Sequence, residues 1–295
     1  IICFLGICLF FGSFAYPVKA NKGNFIKLQN YDEALRFERL TVENGLPHAT
    51  VLSVLQDQQG FMWFATADGL SRYDGISFTN FHHDKDDPHS LSNNNTFSLI
   101  ESSDGLIWVG TDPGGLNVYD PETGKFMVYL HDPDDPNSLA DDSVWSLLED
   151  KDGHIWAGTR GGLSRLDRES GLFANYLPDA ENPRSLAAPV IYRIYEDKSG
   201  TIWIGTNSGL QRYDPETDDF TTFLSDDKDP FSISSDNVWA MLEDSRGNFW
   251  IGTRRNGGLN LFDRETETFI AYQHNPYFSE SISDDNVWNI FEDSS

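Results

Sequence analysis

Residues 144–167 read VWSLLEDKDGHIWAGTRGGLSRLD, and 172–177 continue LFANYL. Four short runs rich in Trp, Ile, Leu and Tyr are divided by turn chemistry, which predicts strands at 144–149, 154–159, 163–167 and 172–177. Between the first two, Glu149-Asp150-Lys151-Asp152-Gly153 has the composition of a tight hairpin, with Gly where positive φ is needed. After the third comes Asp167-Arg168-Glu169-Ser170-Gly171, whose counterpart elsewhere is Asp-Pro-Glu-Thr. There Pro presets φ and the Asp side chain caps the turn. Several runs are almost continuously apolar, as in a small sheet covered on both faces.

The same sentence recurs along the chain. Trp63, Trp108, Trp156, Trp203 and Trp250 are spaced by 45, 48, 47 and 47 residues. Seven residues before each stands Gln56, Glu101, Glu149, Glu196 or Glu243. A Gly-Leu pair follows each Trp, and an Asp follows that Gly by 5 residues every time. From the next Phe (Phe78, Phe126, Phe173, Phe220, Phe269) to a Ser (Ser90, Ser138, Ser185, Ser232, Ser281) is always 12 residues, and from that Ser to the next Glu always 11. Apart from a shorter Asp-to-Phe turn in the first copy, only the Thr-x-x-Gly loop after the Trp changes length. A linker that never drifts is ordered and packs alike in each copy.

Four antiparallel strands in about 47 residues cannot bury both faces alone. Arranged radially, such blades cover one another and leave only short edges. The expected fold is therefore all-β, a β-propeller of four-stranded antiparallel blades. Counted from Ala49, the chain holds five blades and the start of a sixth, whose copy runs to Glu292. RFERL at 36–40 is expected as a lone outermost strand whose blade mates come from the other end of the natural sequence. On this reading, 36–295 is the N-terminal part of a longer propeller.

The chain has 295 residues, with 21 Lys+Arg against 47 Asp+Glu and a net charge of −26. Such a field repels phosphate backbones, which argues against nucleic-acid partners. Aromatics at 14% mark a folded chain despite the charge. Residues 1–20 (IICFLGICLFFGSFAYPVKA) are expected to be a signal peptide or a truncated membrane anchor, and 21–35 a linker. The only cysteines, Cys3 and Cys8, fall in that leader, so no disulfide framework or thiol nucleophile is available beyond it.

The pattern Ser-Leu-x(4)-Val-Trp-x-Leu-Leu-Glu-Asp-x-x-Gly-x-x-Trp-x-Gly-Thr-x-x-Gly-Gly-Leu-x-x-x-Asp resembles the two-component-regulator propeller repeat, over residues 36–295. RFERLTVENGLPHATVLSVLQDQQGFMWFATADGLSRYDG is similar to the first blade of such sensors. Ala65 departs from the usual Gly, and Ala188-Pro189 interrupts the fourth linker. The resemblance implies a periplasmic ligand-sensing region, usually two seven-bladed propellers followed by a β-sandwich and a helix in the inner membrane. It implies a cytoplasmic output module, a histidine kinase or a diguanylate cyclase, outside these residues. It further implies an oligosaccharide or other small-molecule ligand, further blades and downstream domains as partners, and a homodimer at full length. Two other functions are consistent with the fold: a secreted propeller enzyme such as a polysaccharide lyase or glycosidase, and a protein-interaction scaffold.

No catalytic constellation is legible. The seven histidines have no metal spacing, and no nucleophile elbow, phosphate loop or dinucleotide fingerprint occurs. Acidic linkers such as His131-Asp-Pro-Asp-Asp-Pro-Asn lack the calcium-loop spacing and are expected to be solvated turns. No cofactor or metal is expected. The five motif tryptophans are expected between blades as structural core. A second aromatic series, Phe97, Trp145, Tyr192, Trp239 and Trp288, falls in the first strands and is also expected in the core, with a rim position as the alternative. In an up-and-down blade the strand 2–3 loops share a face with the linkers. That variable face carries Asp112, Arg160, Asn207, Arg254, Arg255 and Asn256 as ligand-binding candidates, with ion pairing to linker Asp residues as the alternative use of the arginines.

Overall fold

This computed structural model describes residues 39–293, in which twenty strands form five four-stranded antiparallel sheets. The leader, the 21–35 linker and most of RFERL lie outside the described residues; Arg39 and Leu40 are not in a strand. The first blade is β1 (Val51–Gln56), β2 (Met62–Thr66), β3 (Gly69–Tyr73) and β4 (Phe78–Phe81). The second is β5 (Thr96–Glu101), β6 (Ile107–Thr111), β7 (Leu116–Asp120) and β8 (Lys125–Tyr129). The third is β9 (Val144–Glu149), β10 (Ile155–Thr159), β11 (Leu163–Asp167) and β12 (Leu172–Tyr176). The fourth is β13 (Ile191–Glu196), β14 (Ile202–Thr206), β15 (Leu210–Asp214) and β16 (Asp219–Phe223). The fifth is β17 (Val238–Glu243), β18 (Phe249–Thr253), β19 (Gly258–Asp263) and β20 (Thr268–Tyr272).

Each sheet runs in chain order, and β1, β5, β9, β13 and β17 lie each against the next. The first strand of every blade is therefore innermost, around a common axis. This is a β-propeller. The apolar cores lie between blades. Trp63 and Leu70 of the first blade pack with Leu99, Val109 and Phe126 of the second. Trp108 and Leu116 pack with Val144, Ile155 and Phe173 of the third. The next two interfaces repeat this around Trp156 and Trp203.

Trp63, Trp108, Trp156 and Trp203 are 1–2% exposed. Trp250 is half-buried, with no described blade beyond it. Their indole N–H groups are anchored in the strand 1–2 hairpin, on Asp57, Ser102, Asp150, Asp197 and Asp244, at 2.7–3.0 Å. A second device ties the blades. The backbone N–H groups of Gln58, Ser103, Lys151, Lys198 and Ser245 donate to Glu101, Glu149, Glu196, Glu243 and Glu292 of the following repeat. This accounts for the acid that recurs seven residues before the Trp.

The invariant linker spacing also has a cause. The hydroxyls of Ser90, Ser138, Ser185, Ser232 and Ser281 accept backbone N–H groups six residues upstream at 2.8–2.9 Å. Linker carbonyls of His89, Asn137, Arg184 and Phe231 accept the N–H of Phe126, Phe173, Phe220 and Phe269, the outer strands of the next blades. Asp132 and Asp135 close turns by accepting the N–H groups of Asp134 and Asn137. The acids of that loop thus shape its backbone.

Blade spacing is set where β6 meets β9. A Cβ on Gly110 would stand 2.5 Å from the Val144 carbonyl oxygen, so only Gly lets the third blade close to this distance. The segment after Ser281 begins to repeat the pattern. Val287 donates its N–H to the Thr253 carbonyl, although no strand is formed at 282–293.

Candidate functional site at the axial mouth

Every first strand carries an irregularity at the same place. Pairing jumps from Thr96 to Ser98, Val144 to Ser146, Ile191 to Arg193 and Val238 to Ala240, and in the first blade from Val51 to Ser53. The skipped residues are Phe97, Trp145, Tyr192, Trp239 and Leu52. A β-bulge leaves its extra residue unpaired and re-aims its side chain. Here the re-aimed side chains turn towards one another across blades.

The result is an arc of stacked rings. Phe97 lies 5.5 Å from Trp145 at 17°, Trp145 6.2 Å from Tyr192 at 8°, and Tyr192 4.1 Å from Trp239 at 22°. Trp288 ends the arc edge-on to Trp239 at 5.1 Å. Of the two expected placements, these residues adopt the rim rather than the core. Phe97, Trp145, Tyr192 and Trp239 are half-buried and Trp288 is 40% exposed. The first four stand at the start of innermost strands, on the face where linkers enter. A wholly buried series would have occupied paired positions; the bulge takes this one out of the blade interior.

Three of the six ligand candidates join this arc. Asp112 accepts the Trp145 indole N–H at 3.1 Å. The Arg160 guanidinium lies 5.7 Å from the Trp145 ring centre. That of Arg254 lies 3.6 Å from Trp288 and 4.6 Å from Trp239. The Arg254 Nε is buried and meets no acceptor among the described residues. Cations held over ring faces gain about 0.5–2 kcal/mol each. Backbone bonds fix both loops, from the Arg160 N–H to the Ser143 carbonyl and from the Arg254 N–H to that of Asn237.

The other three lie outside the arc. Asn207 is exposed on the β14–β15 loop. Arg255 and Asn256 are exposed with positive φ of 58° and 66°; Arg255 donates its N–H to Asn286, and the Asn256 carbonyl accepts Gln273. Ion pairing to linker acids is not how the loop arginines are used. Among the described residues, salt bridges are made by other arginines, among them Arg168, Arg184, Arg212 and Arg264.

On the opposite face, the hairpins carry fixed charge networks. Arg264 bridges Asp197 at 3.1 Å and Glu243 at 3.0 Å. Burial alone would push the Asp197 carboxyl up, but hydrogen bonds from Ser199, Trp203 and Thr201 and the charge of Arg264 hold it below the usual carboxylate range. These groups are mutually satisfied and offer little to a ligand. The axial mouth instead presents flat π-faces, two guanidiniums over them and a carboxylate. Such a surface suits stacking against the apolar face of a ring compound, with charged donors for its polar rim. No group of three or more His, Cys, Asp or Glu among the described residues is placed to hold a metal.

An aromatic directly follows an apolar strand opener in Val144-Trp145 and Val238-Trp239, a pattern that a blade covered on both faces also accommodates without a bulge. Arg193 of β13 is a charge where the matching positions of the other blades hold Ser or Ala.

Five segments, 45–68, 90–112, 138–161, 185–208 and 232–255, match the family described as two component regulator propeller. A curated relative, histidine kinase P4 of Formosa agariphila, is 33% identical over 84 residues, 28% of this chain and 5% of that protein. The extracellular domain of a hybrid two-component system from B. thetaiotaomicron superposes with a TM-score of 0.54 at 28% identity, over 87% of this chain and 39% of that one. The chain thus spans well under half of either relative. Virginiamycin B lyase from Staphylococcus aureus superposes at 0.56 with 15% identity, over 76% of this chain and 70% of that one. That likeness is one of fold.

Proposed function

The chain belongs to the two component regulator propeller family, and from that premise we propose that it is the extracytoplasmic ligand-sensing propeller of a transmembrane two-component signalling protein. The ligand is an oligosaccharide or related ring compound, held at the axial mouth on the arc from Phe97 to Trp288. The observation that carries this reading is the run of β-bulges that puts one ring from each of blades two to five on the linker face, beneath loops of variable length. A sensor needs a fixed frame with adaptable edges, and loops on a rigid scaffold provide it. Occupancy bridging several blades would favour one arrangement of the ring, and a differential affinity for that arrangement is the signal passed to the output module.

Thermal-shift screening of the whole chain against an oligosaccharide panel tests this. A hit should raise the melting temperature, and Trp145→Ala or Trp239→Ala should abolish the shift while leaving the unliganded protein folded. Hits that persist in both variants would place the ligand elsewhere. Turnover of a panel member by the whole chain would replace sensing with catalysis.

A further inference from the structure

Arg193 occupies the innermost strand of the fourth blade, one residue beyond Tyr192 of the arc. The matching positions in the other blades hold Ser53, Ser98, Ser146 and Ala240. Three of these, Ser98, Ser146 and Ala240, are buried, and Ser146 accepts the Ile194 N–H across the blade gap. Arg193 is exposed. With β9 and β17 on either side, β13 lines the propeller axis. Yet protein surrounds Arg193 closely enough that burial pulls its guanidinium pKa down, with only the Tyr195 phenol acting the other way. It enters no ion pair or side-chain hydrogen bond among the described residues, in a chain with 47 acids.

A cation partly stripped of water and left without a counter-charge is costly. A blade needs no arginine there, since serine or alanine serves in the other four. A second unsatisfied donor belongs to the arc itself: the buried Nε of Arg254, whose guanidinium covers Trp239, which is stacked on Tyr192, the chain neighbour of Arg193. One guanidinium with an open donor thus lies over this pair of rings, and a second unpaired one follows Tyr192 directly in the chain.

We propose that the axial channel beside Tyr192 and Trp239 is an anion site, in which Arg193 takes the carboxylate of a ligand whose ring lies on the arc. The planar guanidinium matches a carboxylate through two parallel N–H···O bonds. The preferred ligand class is therefore the acidic, uronate-type saccharide rather than the neutral one. This rests on the arc being the ligand surface, and the test separates the two ideas.

Isothermal titration of the whole chain would use trisaccharides of galacturonate, glucuronate and mannuronate, each beside its carboxyl-reduced neutral form. At least one acid should bind about tenfold or more tighter than its neutral form. Arg193→Gln should erase that preference and leave the neutral affinity unchanged, while Arg246→Gln, on the opposite hairpin face, should keep it. Because Arg193 has no partner to lose, its Gln variant should melt no lower than wild type. Neutral forms bound as well as acids, or a preference that survives Arg193→Gln, would overturn the anion site and leave the sensing reading standing. If neither set binds and no neutral panel member does, both fall.

Discussion

The indole anchor offers a quantitative test, because the same tryptophan meets different acceptors in neighbouring blades. Trp156 donates to the Asp150 carboxylate at 2.7 Å, whereas Trp108 donates to the Ser102 hydroxyl at 3.0 Å. Both rings are almost wholly buried, so truncation to Phe removes similar apolar surface from each. The hydrogen bond is what differs. A bond to a charged acceptor contributes about 1.5–3 kcal/mol, and a neutral one about 0.5–1.5 kcal/mol. A double-mutant cycle on Trp156→Phe and Asp150→Ala removes the terms that Asp150 shares with His154 and Asp152, because they vanish in both arms. The coupling should be about 1.5–3 kcal/mol there, and about 0.5–1.5 kcal/mol for Trp108→Phe with Ser102→Ala. The Ser102 hydroxyl donates to Asp104, which strengthens it as an acceptor by roughly a tenth to a third, too little to close the gap. Urea unfolding of the whole chain, with a shared slope, reads both cycles. Equal couplings, or a larger one at Trp108, would refute the assignment of these hairpin acids as anchors.

Gly110→Ala should destabilise by about 1–3 kcal/mol in the same assay, since its Cβ would be driven into the next blade's backbone; an unchanged midpoint would mean that the blades are not so close. Asp197 and Asp244 titrate below 3.8 in the fold, where burial is outweighed by hydrogen bonds from Trp203 and Trp250 among others. Their contribution is therefore complete above the unfolded carboxylate range and is lost as pH falls through the lower folded values, so Asp197→Asn should flatten the acid limb of a melting-temperature profile. Glu196 behaves oppositely. Burial holds its carboxyl above 4.5, so its contribution declines as pH rises from the unfolded to the folded value, and Glu196→Gln should match or exceed wild-type stability at pH 7. Glu149→Gln should instead lower it, because that carboxylate accepts both Ser103 groups and Arg168.

The blades were legible because their signals are local. Runs such as Val144–Glu149 and Leu163–Asp167 end where their turns dictate, and the fixed distance from Phe to Ser to Glu reflects bonds that tolerate no extra residue. Loop chemistry likewise pointed to Arg160 and Arg254. The arc was harder to read. A bulge is a property of pairing between two strands, and nothing in the Trp145 neighbourhood alone distinguishes a ring buried between blades from one turned to the axis. Asn207, Arg255 and Asn256 share a loop type with Arg254, but two extra residues in the last loop carry the latter pair outward, a displacement that spacing does not foretell.

The account depends most on the axial mouth being where a ligand is read. Hydrogen exchange of the whole chain, with and without a saturating hit from the thermal screen, addresses this residue by residue. Slowed exchange should cluster at 95–98, 143–146, 190–193 and 237–240 and in the loops at 159–161 and 253–256. Slowing confined to the opposite hairpins, at 102–105 or 244–247, would contradict it.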